Sequence, residues 1–177
     1  LKYHEALGPI AFIARVRVEG LRDLGSAPSP LNSFQVIQGL ETLEVRMQKH
    51  SQNALELAEW LSSRGEVSWV NYPGLNSSKY HNLADKYLPN GQSGIVTFGL
   101  KKGFEAAKKV AESTNIFALL ANIGDTKSLI IHPSSTTHSQ LNEEEQSSTG
   151  VSSDLVRISV GIENIEDLKE DLDQALK

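Results

Sequence analysis

The sequence predicts an α/β fold of α+β type, in which a mixed or antiparallel sheet carries helices on one face. Strand-like and helical segments alternate after about residue 65, but the connections vary in length and several strands are short, which disfavours a doubly wound sheet. The last strand and helix form the clearest pair. Residues 154–161 are mostly apolar and β-prone, and the helix from about Asn164 to Lys177 carries apolar residues at helical spacing.

The first third of the chain is predicted to be helical. An amphipathic pattern from about residue 10 to 24 ends at a run rich in proline and serine. Ser29 can cap the next helix, with Pro30 at its first position. Gly39 weakens the pattern that follows, so we expect one long or kinked helical region from about 30 to 64.

The remaining two thirds alternate between strands and short helices. Short runs rich in valine, isoleucine and phenylalanine, bounded by turn residues, predict the strands. These strands are 67–70, 94–100, 117–121, 129–131 and the C-terminal one. Apolar spacing predicts helices at 80–87 and 104–111, and Asn142 followed by three glutamates predicts another helix start.

Composition excludes several classes of function. The 177 residues are 39% apolar and 22% charged, as in a globular protein of ordinary size. No apolar run approaches the roughly 20 residues of a membrane span, so a membrane role is disfavoured. The net charge of −5 is spread among interspersed charges without a basic stripe, which disfavours nucleic-acid binding. The absence of cysteine excludes disulfides and fits a cytoplasmic protein.

Arg157 is the residue that stands out chemically, because it interrupts an otherwise apolar strand. A guanidinium in that position is costly unless an anion meets it. Its planar fork suits a carboxylate or a phosphate, so Arg157 is either half of a structural ion pair or a receptor for an acidic ligand. The strand pattern alone favours the ion pair and leaves the second interpretation open.

The histidine- and hydroxyl-rich segment 132–139 invites a metal site or a Ser-His pair, but its pattern is weak. Pro133 prevents the helix that would place both imidazoles on one face. We expect instead a loop whose hydroxyls satisfy their own backbone, and no metal site. His4, His50 and His81 are expected to be surface or packing residues, and no phosphate-binding glycine loop or nucleophile elbow occurs.

A series of short motifs in a fixed order resembles the C-terminal part of the Cys/Met metabolism pyridoxal-phosphate enzymes, over nearly the whole chain. The motifs are Ser29-Pro30-Leu31-Asn32-Ser33-Phe34, Gln38-Gly39-Leu40-Glu41-Thr42-Leu43, Arg46-Met47, Asn53-Ala54, Tyr72-Pro73-Gly74-Leu75, Ala121-Asn122-Ile123-Gly124-Asp125, His132-Pro133, Thr136-Thr137-His138 and Val156-Arg157-Ile158-Ser159-Val160-Gly161-Ile162-Glu163. Asn122-Ile123-Gly124-Asp125 is most similar to the O-acetylhomoserine sulfhydrylase branch, because lyases and cystathionine synthases of the family usually carry Ser-Leu-Gly there.

The resemblance implies a fold-type I enzyme and a division of this chain. Residues 1–40 would be the tail of the large pyridoxal-phosphate-binding domain, 41–64 the connecting long helix, and 65–177 the C-terminal small domain. The family's large domain carries the cofactor lysine in a Ser-x-Thr-Lys context, which this chain lacks. Thr126-Lys127 is only superficially similar, so we do not take Lys127 for that lysine, and we expect no catalytic residue in a fragment that is inactive alone.

The resemblance also implies the roles of individual residues. The family's arginine in Arg-x-Ser-x-Gly receives the substrate α-carboxylate, and it matches Arg157. Asn122 matches the residue that contacts the cofactor lysine and substrate, and Ile123 supplies an adjacent backbone contact. The ligand interpretation of Arg157 then becomes the favoured one.

The activity implied is replacement of the acetoxy group of O-acetyl-L-homoserine by sulfide, giving L-homocysteine and acetate, with pyridoxal 5'-phosphate as cofactor. The partners implied are the N-terminal part of the same enzyme and further copies in a homotetramer. Two alternatives stay open from the sequence. One is a cystathionine γ-synthase or γ-lyase of the same family, and the other is a non-catalytic amino-acid-binding module.

Overall fold

The computed structural model describes residues 2–177 and divides the chain into two compact units, the first ending at Thr42 and the second beginning at Leu43. Between residues 2 and 177, no helix combines the length and the apolar character needed to cross a membrane.

The first unit is helical. It comprises α1 (Lys2–Leu7), a 3-10 turn (Gly8–Ile10), α2 (Ala11–Arg15), a π-helical segment (Val16–Asp23) and α3 (Pro30–Glu41). Helical structure thus begins well before the predicted start near residue 10. A 3-10 turn that contains Pro9 separates α1 from α2, so the apolar spacing of the later helix does not extend into α1. The predicted cap is confirmed, since the Ser29 hydroxyl accepts from the Asn32 N–H at 3.1 Å.

The helical region predicted over 30–64 is interrupted at one residue. Thr42 has φ −110° and ψ 4°, outside the helical range, and caps the C-terminus of α3. The second unit then begins with α4 (Leu43–Ser62). Assignment of the first unit to a larger domain, and of 41–64 to a connector, stays a prediction.

The second unit is built on a five-stranded mixed sheet, as predicted, in the order β1-β2-β5-β4-β3. The strands are β1 (Val67–Asn71), β2 (Ile95–Leu100), β3 (Ala118–Leu119), β4 (Leu129–Ile131) and β5 (Leu155–Ser159). Neighbouring strands are antiparallel except β3 and β4, which are parallel. The strand predicted at 117–121 is shorter than expected, because the Phe117 N–H donates to the Asp171 carboxylate and not to a strand.

The helices of the second unit are α4, α5 (His81–Tyr87), α6 (Gly103–Ser113), α7 (Glu143–Ser148) and α8 (Ile165–Leu176). Local signals set their ends as predicted, since Asn142 and Glu145 form a capping box and the Asn164 side chain accepts from the Glu166 N–H.

The hydrophobic core lies between one face of the sheet and the helices α4, α6 and α8. Alternate strand residues enter it, and helical residues at spacings of three and four fill it from the other side. The five residues predicted to share this core, Val156, Ile158, Val160, Leu168 and Leu172, all do so and are fully buried.

Replacement of Leu168 by alanine tests how tightly α8 packs on the sheet. Leu168 has no exposed surface, so the variant loses both transfer free energy and cavity contacts. We expect a loss of about 2–5 kcal/mol in the free energy of unfolding, measured by urea denaturation. A loss below about 0.5 kcal/mol would contradict the packing of α8.

Tyr72, which follows β1, is fully buried with a polar tip. Its hydroxyl donates to the Ser93 carbonyl at 2.9 Å and lies 3.3 Å from the Ser51 carbonyl. Burial raises the pKa of Tyr72 from 10.0 to about 12, because the phenolate would lose its hydration. The turn after β1 is thereby tied to α4 through Ser51.

This pKa difference makes stability fall at alkaline pH. Between pH 10 and about 12 the unfolded chain has lost the Tyr72 proton and the native chain keeps it, so unfolding is favoured as pH rises. The contribution is intact below pH 10 and lost towards pH 12, and it amounts to about 2–3 kcal/mol at 1.36 kcal/mol per pKa unit.

The measurement is the free energy of unfolding of wild type and Tyr72→Phe at pH 9, 10, 11 and about 12. The phenylalanine variant lacks the ionisable group, so its decline over this range should be shallower. Equal slopes for the two proteins would show that Tyr72 is not the group responsible.

Candidate functional site

Arg157 lies at the centre of β5, on the face of the sheet opposite the helices. Its register partners are Thr97 on β2 and Ile131 on β4. Because side chains alternate along a strand, Val156 and Ile158 enter the core while Arg157 points away from it. The burial of Val156 and Ile158 in the core therefore places the Arg157 guanidinium on the face of the sheet away from the helices.

A cavity of about 460 Å³ opens on this face of the sheet, and Arg157 contributes to its wall. Its lining combines one cation with hydroxyl, imidazole and apolar groups from three strands and from the segment that contains α7. The lining residues are Thr97, Ile131, Pro133, Thr137, His138, Thr149, Val151, Leu155 and Arg157. The size and chemistry of the cavity suit a small anionic ligand.

Arg157 is poorly satisfied by the protein itself. Its Nη2 donates to the Asn122 carbonyl at 3.5 Å, which is the long limit for a hydrogen bond. Over residues 2–177, no ion pair involves Arg157. A guanidinium has five N–H donors, so most of the fork is available to a ligand.

The acids that lie close to Arg157 in the sequence are engaged elsewhere or exposed. Asp154 accepts from the Trp69 indole at 3.0 Å, and Glu163 accepts from Ser128. Asp167 is exposed on α8. The geometry therefore does not support the structural ion pair that the strand pattern alone favoured.

Asn122 and Ile123 lie on the exposed loop that joins β3 to β4. The Asn122 side-chain oxygen accepts from the Ile123 N–H at 2.9 Å, and the Ile123 side chain is 68% exposed. The structure thus brings Asn122 to Arg157, whereas Ile123 contacts Asn122. The Ile123 N–H reaches a ligand only if the Asn122 side chain rotates away.

The predicted bonding of hydroxyls in segment 132–139 to their own backbone is confirmed for Thr136 and Ser139, whereas the Ser134 hydroxyl donates to the Gln146 side chain. The Ser135 hydroxyl lies 2.8 Å from His132 Nδ1, and His132 Nε2 lies 2.9 Å from the Ser153 carbonyl, to which it donates. The Thr136 hydroxyl donates back to the His132 carbonyl at 2.8 Å. In the described part of the chain, no cluster of three or more histidine or acidic side chains could hold a metal ion.

Sequence reasoning from the residues did not place Thr97 or His138 beside Arg157. Thr97 is the cross-strand partner of Arg157, and His138, whose Nδ1 lies 2.9 Å from the Thr137 hydroxyl, lines the same cavity. The available signal was the Thr136-Thr137-His138 motif. It carried no spatial information until the sheet register was known.

The site suits a carboxylate better than a pyridine cofactor. Arg157 offers an anion-binding fork, whereas Lys127 is exposed on the loop after Asn122, where its N–H lies 3.5 Å from the Asp125 carboxylate. A Schiff-base lysine is normally desolvated. The expectation that Lys127 is not the cofactor lysine stays a prediction.

The model of the Cys/Met metabolism PLP-dependent enzyme family matches residues 7–177. The chain belongs to this family. Its family is pyridoxal-phosphate-dependent, which agrees with the cofactor expected from the motifs.

Relatives within the Cys/Met metabolism family are similar along almost the entire chain. O-acetyl-L-homoserine sulfhydrylase 1 of Thermus thermophilus is 49% identical over 176 residues, which cover 99% of this chain and 42% of that protein. O-acetyl-L-homoserine sulfhydrylase of Leptospira meyeri is 52% identical, covering 100% of this chain and 42% of that protein. The chain therefore spans about two fifths of the length of these relatives.

A solved structure of the same kind shares the fold. A Campylobacter jejuni protein assigned as an O-acetylhomoserine (thiol)-lyase matches with a TM-score of 0.84 and 50% identity, over 95% of this chain and 40% of that one. That crystal structure contains a pyridoxyl-lysine monophosphate. The mixed sheet with its helices therefore matches part of a fold-type I architecture.

Proposed function

We propose that this chain is the C-terminal, substrate-binding portion of a pyridoxal-phosphate-dependent transferase. The proposed reaction replaces the acetoxy group of O-acetyl-L-homoserine with sulfide, giving L-homocysteine and acetate. The observation that carries the proposal is the Arg157 guanidinium, which borders a cavity and makes no ion pair within residues 2–177. The names of the similar relatives support the choice of substrate.

In this proposal Arg157 receives the α-carboxylate of the substrate. Two parallel N–H···O bonds from one guanidinium fix the position and the plane of a carboxylate, which a single ammonium does not. The backbone carbonyl of Asn122 accepts from Arg157 Nη2. In this proposal the side-chain amide of Asn122 therefore borders the bound amino acid. Ile123 contributes through its backbone.

The chemical step belongs to the cofactor, which serves as an electron sink when it is bound. The residues of this chain hold and orient the substrate, and we assign none of them to proton transfer. A substrate fixed by its carboxylate has its Cα and side chain directed by the remaining contacts. Arg157, Asn122 and Ile123 thus determine which molecule is presented, and in which orientation.

The proposal extends to the rest of the polypeptide. Residues 1–40 would complete a large cofactor-binding domain, α4 would connect it to the small domain, and the cofactor lysine would lie in a preceding part of the same enzyme. The chain alone would then be inactive. A cytoplasmic location stays a prediction from the cysteine-free composition.

Substitution of Arg157 in the intact enzyme tests the carboxylate site. Arg157→Lys keeps the charge but loses the paired geometry, so the affinity for O-acetyl-L-homoserine should fall. Arg157→Ala should weaken binding by about 2–5 kcal/mol. Folding should be affected less, because the protein itself makes only one long hydrogen bond with the Arg157 side chain. The measurements are substrate titration and thermal unfolding.

A matched control is Arg64→Lys. Arg64 is ion-paired with Asp173, an acid on α8, and lies outside the cavity lining, so the same chemical change should leave substrate affinity intact. Equal affinities in wild type, Arg157→Lys and Arg157→Ala would rule out the carboxylate role.

Self-association is a further expectation from the proposal, which assigns a homotetramer to the intact enzyme. The first unit exposes large apolar side chains, with Phe12 78%, Val16 49% and Leu21 47% accessible. Such surfaces are normally covered by other protein. Sedimentation velocity of the 177-residue chain should show oligomers, and a monomer at high concentration would count against this surface as an assembly contact.

A further inference from the structure

The segment that carries Asn122 is fixed at its beginning by a buried carboxylate. Asp171 on α8 is 5% exposed and accepts from three consecutive backbone N–H groups, those of Asn115, Ile116 and Phe117, at 2.7, 2.8 and 3.1 Å. Several N–H donors on one carboxylate form a strong, directional anchor. The chain therefore enters β3 from a fixed point.

A second carboxylate fixes the same segment at its end. Glu163 accepts from the Ser128 N–H at 2.6 Å and from the Ser128 hydroxyl at 2.9 Å. The Ser128 hydroxyl also accepts from the Gly161 N–H at 2.8 Å. The neighbouring Ile162 N–H donates to the Thr126 carbonyl at 2.9 Å, so residues 126–128 are held against residues 161–163 by four hydrogen bonds.

Glycine at position 161 is required for this close approach. A Cβ at Gly161 would lie 2.5 Å from the Thr126 carbonyl oxygen and 2.6 Å from the Ser128 nitrogen, and it would also collide with Glu163 Oε2. Two of these obstacles are backbone atoms, which do not move aside cheaply. The β3–β4 loop and the residues that follow β5 therefore approach so closely that no side chain fits at position 161.

The residues that hold the loop are themselves held by α4. The Asn53 amide donates to the carbonyls of Gly161 and Glu163 at 3.1 and 2.9 Å. His50 Nδ1 donates to the Val160 carbonyl at 2.6 Å, which defines its tautomer because a carbonyl can only accept. Both side chains are buried, so the backbone from 160 to 163 is a rigid support.

The middle of the segment has no comparable attachment. Residues 120–123 are exposed, and the hydrogen bonds of Asn122 in the described chain are the local one to Ile123 and the long one from Arg157. Its position is therefore determined by the two ends. Of these, Glu163 holds the end at which the loop returns to the sheet.

We propose that Glu163 is a positioning residue for the amino-acid site. Through Ser128 it holds the β3–β4 loop so that Asn122 lies beside Arg157, and it thereby sets the affinity for the amino-acid substrate without touching it. This inference rests on the proposed function, because it needs the Arg157 site to bind a substrate. Glu163 is not a counterion for Arg157, since both carboxylate oxygens are used by Ser128.

The test compares Glu163→Ala and Glu163→Gln in the intact enzyme. Alanine removes both hydrogen bonds to Ser128, whereas glutamine keeps an acceptor for the Ser128 N–H. We expect the KM for O-acetyl-L-homoserine to rise roughly 10-fold or more in the alanine variant, as for loss of hydrogen bonds to a charged group. Glutamine should restore part of that loss, and kcat should change by less than about 3-fold.

Amide hydrogen exchange supplies a readout that does not depend on substrate. Exchange of residues 120–128 should become roughly 10-fold faster in Glu163→Ala, while the core strands β2 and β5 keep their protection. Ser128→Ala removes the same side-chain bond from the other partner and should produce a similar change. Glu170→Gln is the matched control for Glu163→Gln, because it makes the same substitution at an exposed residue of α8. It should alter neither the KM nor the exchange of residues 120–128.

The outcomes separate this inference from the proposed function. Unchanged KM and unchanged exchange in the Glu163 and Ser128 variants, together with weak binding by Arg157→Ala, would overturn the positioning role alone. Faster loop exchange in Glu163→Ala, together with an unchanged KM in both the Glu163 and the Arg157 variants, would overturn the proposed function. Loss of kcat and of core protection together, with KM unchanged, would show a purely structural role. If Glu163→Ala does not fold, Glu163→Gln and Ser128→Ala decide.

Discussion

The pairing of β5 with β2 on one side and β4 on the other is the constraint on which the rest of the second unit depends. This central strand places Val156 and Ile158 in the core and Arg157 on the opposite face. A shift of one residue in register would exchange the two faces. The guanidinium would then enter the core without a counterion, so the hydrophobic pattern that folds the sheet also aims the arginine.

An arginine without a protein anion has an energetic cost. Half-burial removes part of the hydration of the Arg157 guanidinium, and the single long hydrogen bond to Asn122 compensates for little of the lost hydration free energy. Sites adapted to a ligand commonly tolerate such a deficit, which the ligand offsets on binding. A carboxylate has the charge and the planar geometry to pair with this guanidinium.

The β3–β4 loop shows how the second unit can fix the position of an exposed segment. Loops carry function when a rigid scaffold positions them, and here the scaffold acts through the side chains of Asp171 and Glu163 at the two ends. Buried polar groups on α4 support the backbone next to Glu163. The position of this loop is thus coupled to the fold through a few charge-assisted hydrogen bonds, whereas the direction of Arg157 is set by the hydrophobic core.

The sequence by itself determined what local patterns encode. Helix caps such as Ser29, the apolar strand at β5 and Arg157 as the residue in need of an anion were predictable, because each signal lies within a few residues. The mixed sheet was predictable from the varied connections and the short strands. The motif order predicted the family. Only the tertiary structure decided that Arg157 lacks an ion pair, that Thr97 and His138 border it, and that Glu163 holds Ser128, 35 residues away in the chain. Strand order and register bring these residues together, and a sequence pattern leaves both open until the core has packed.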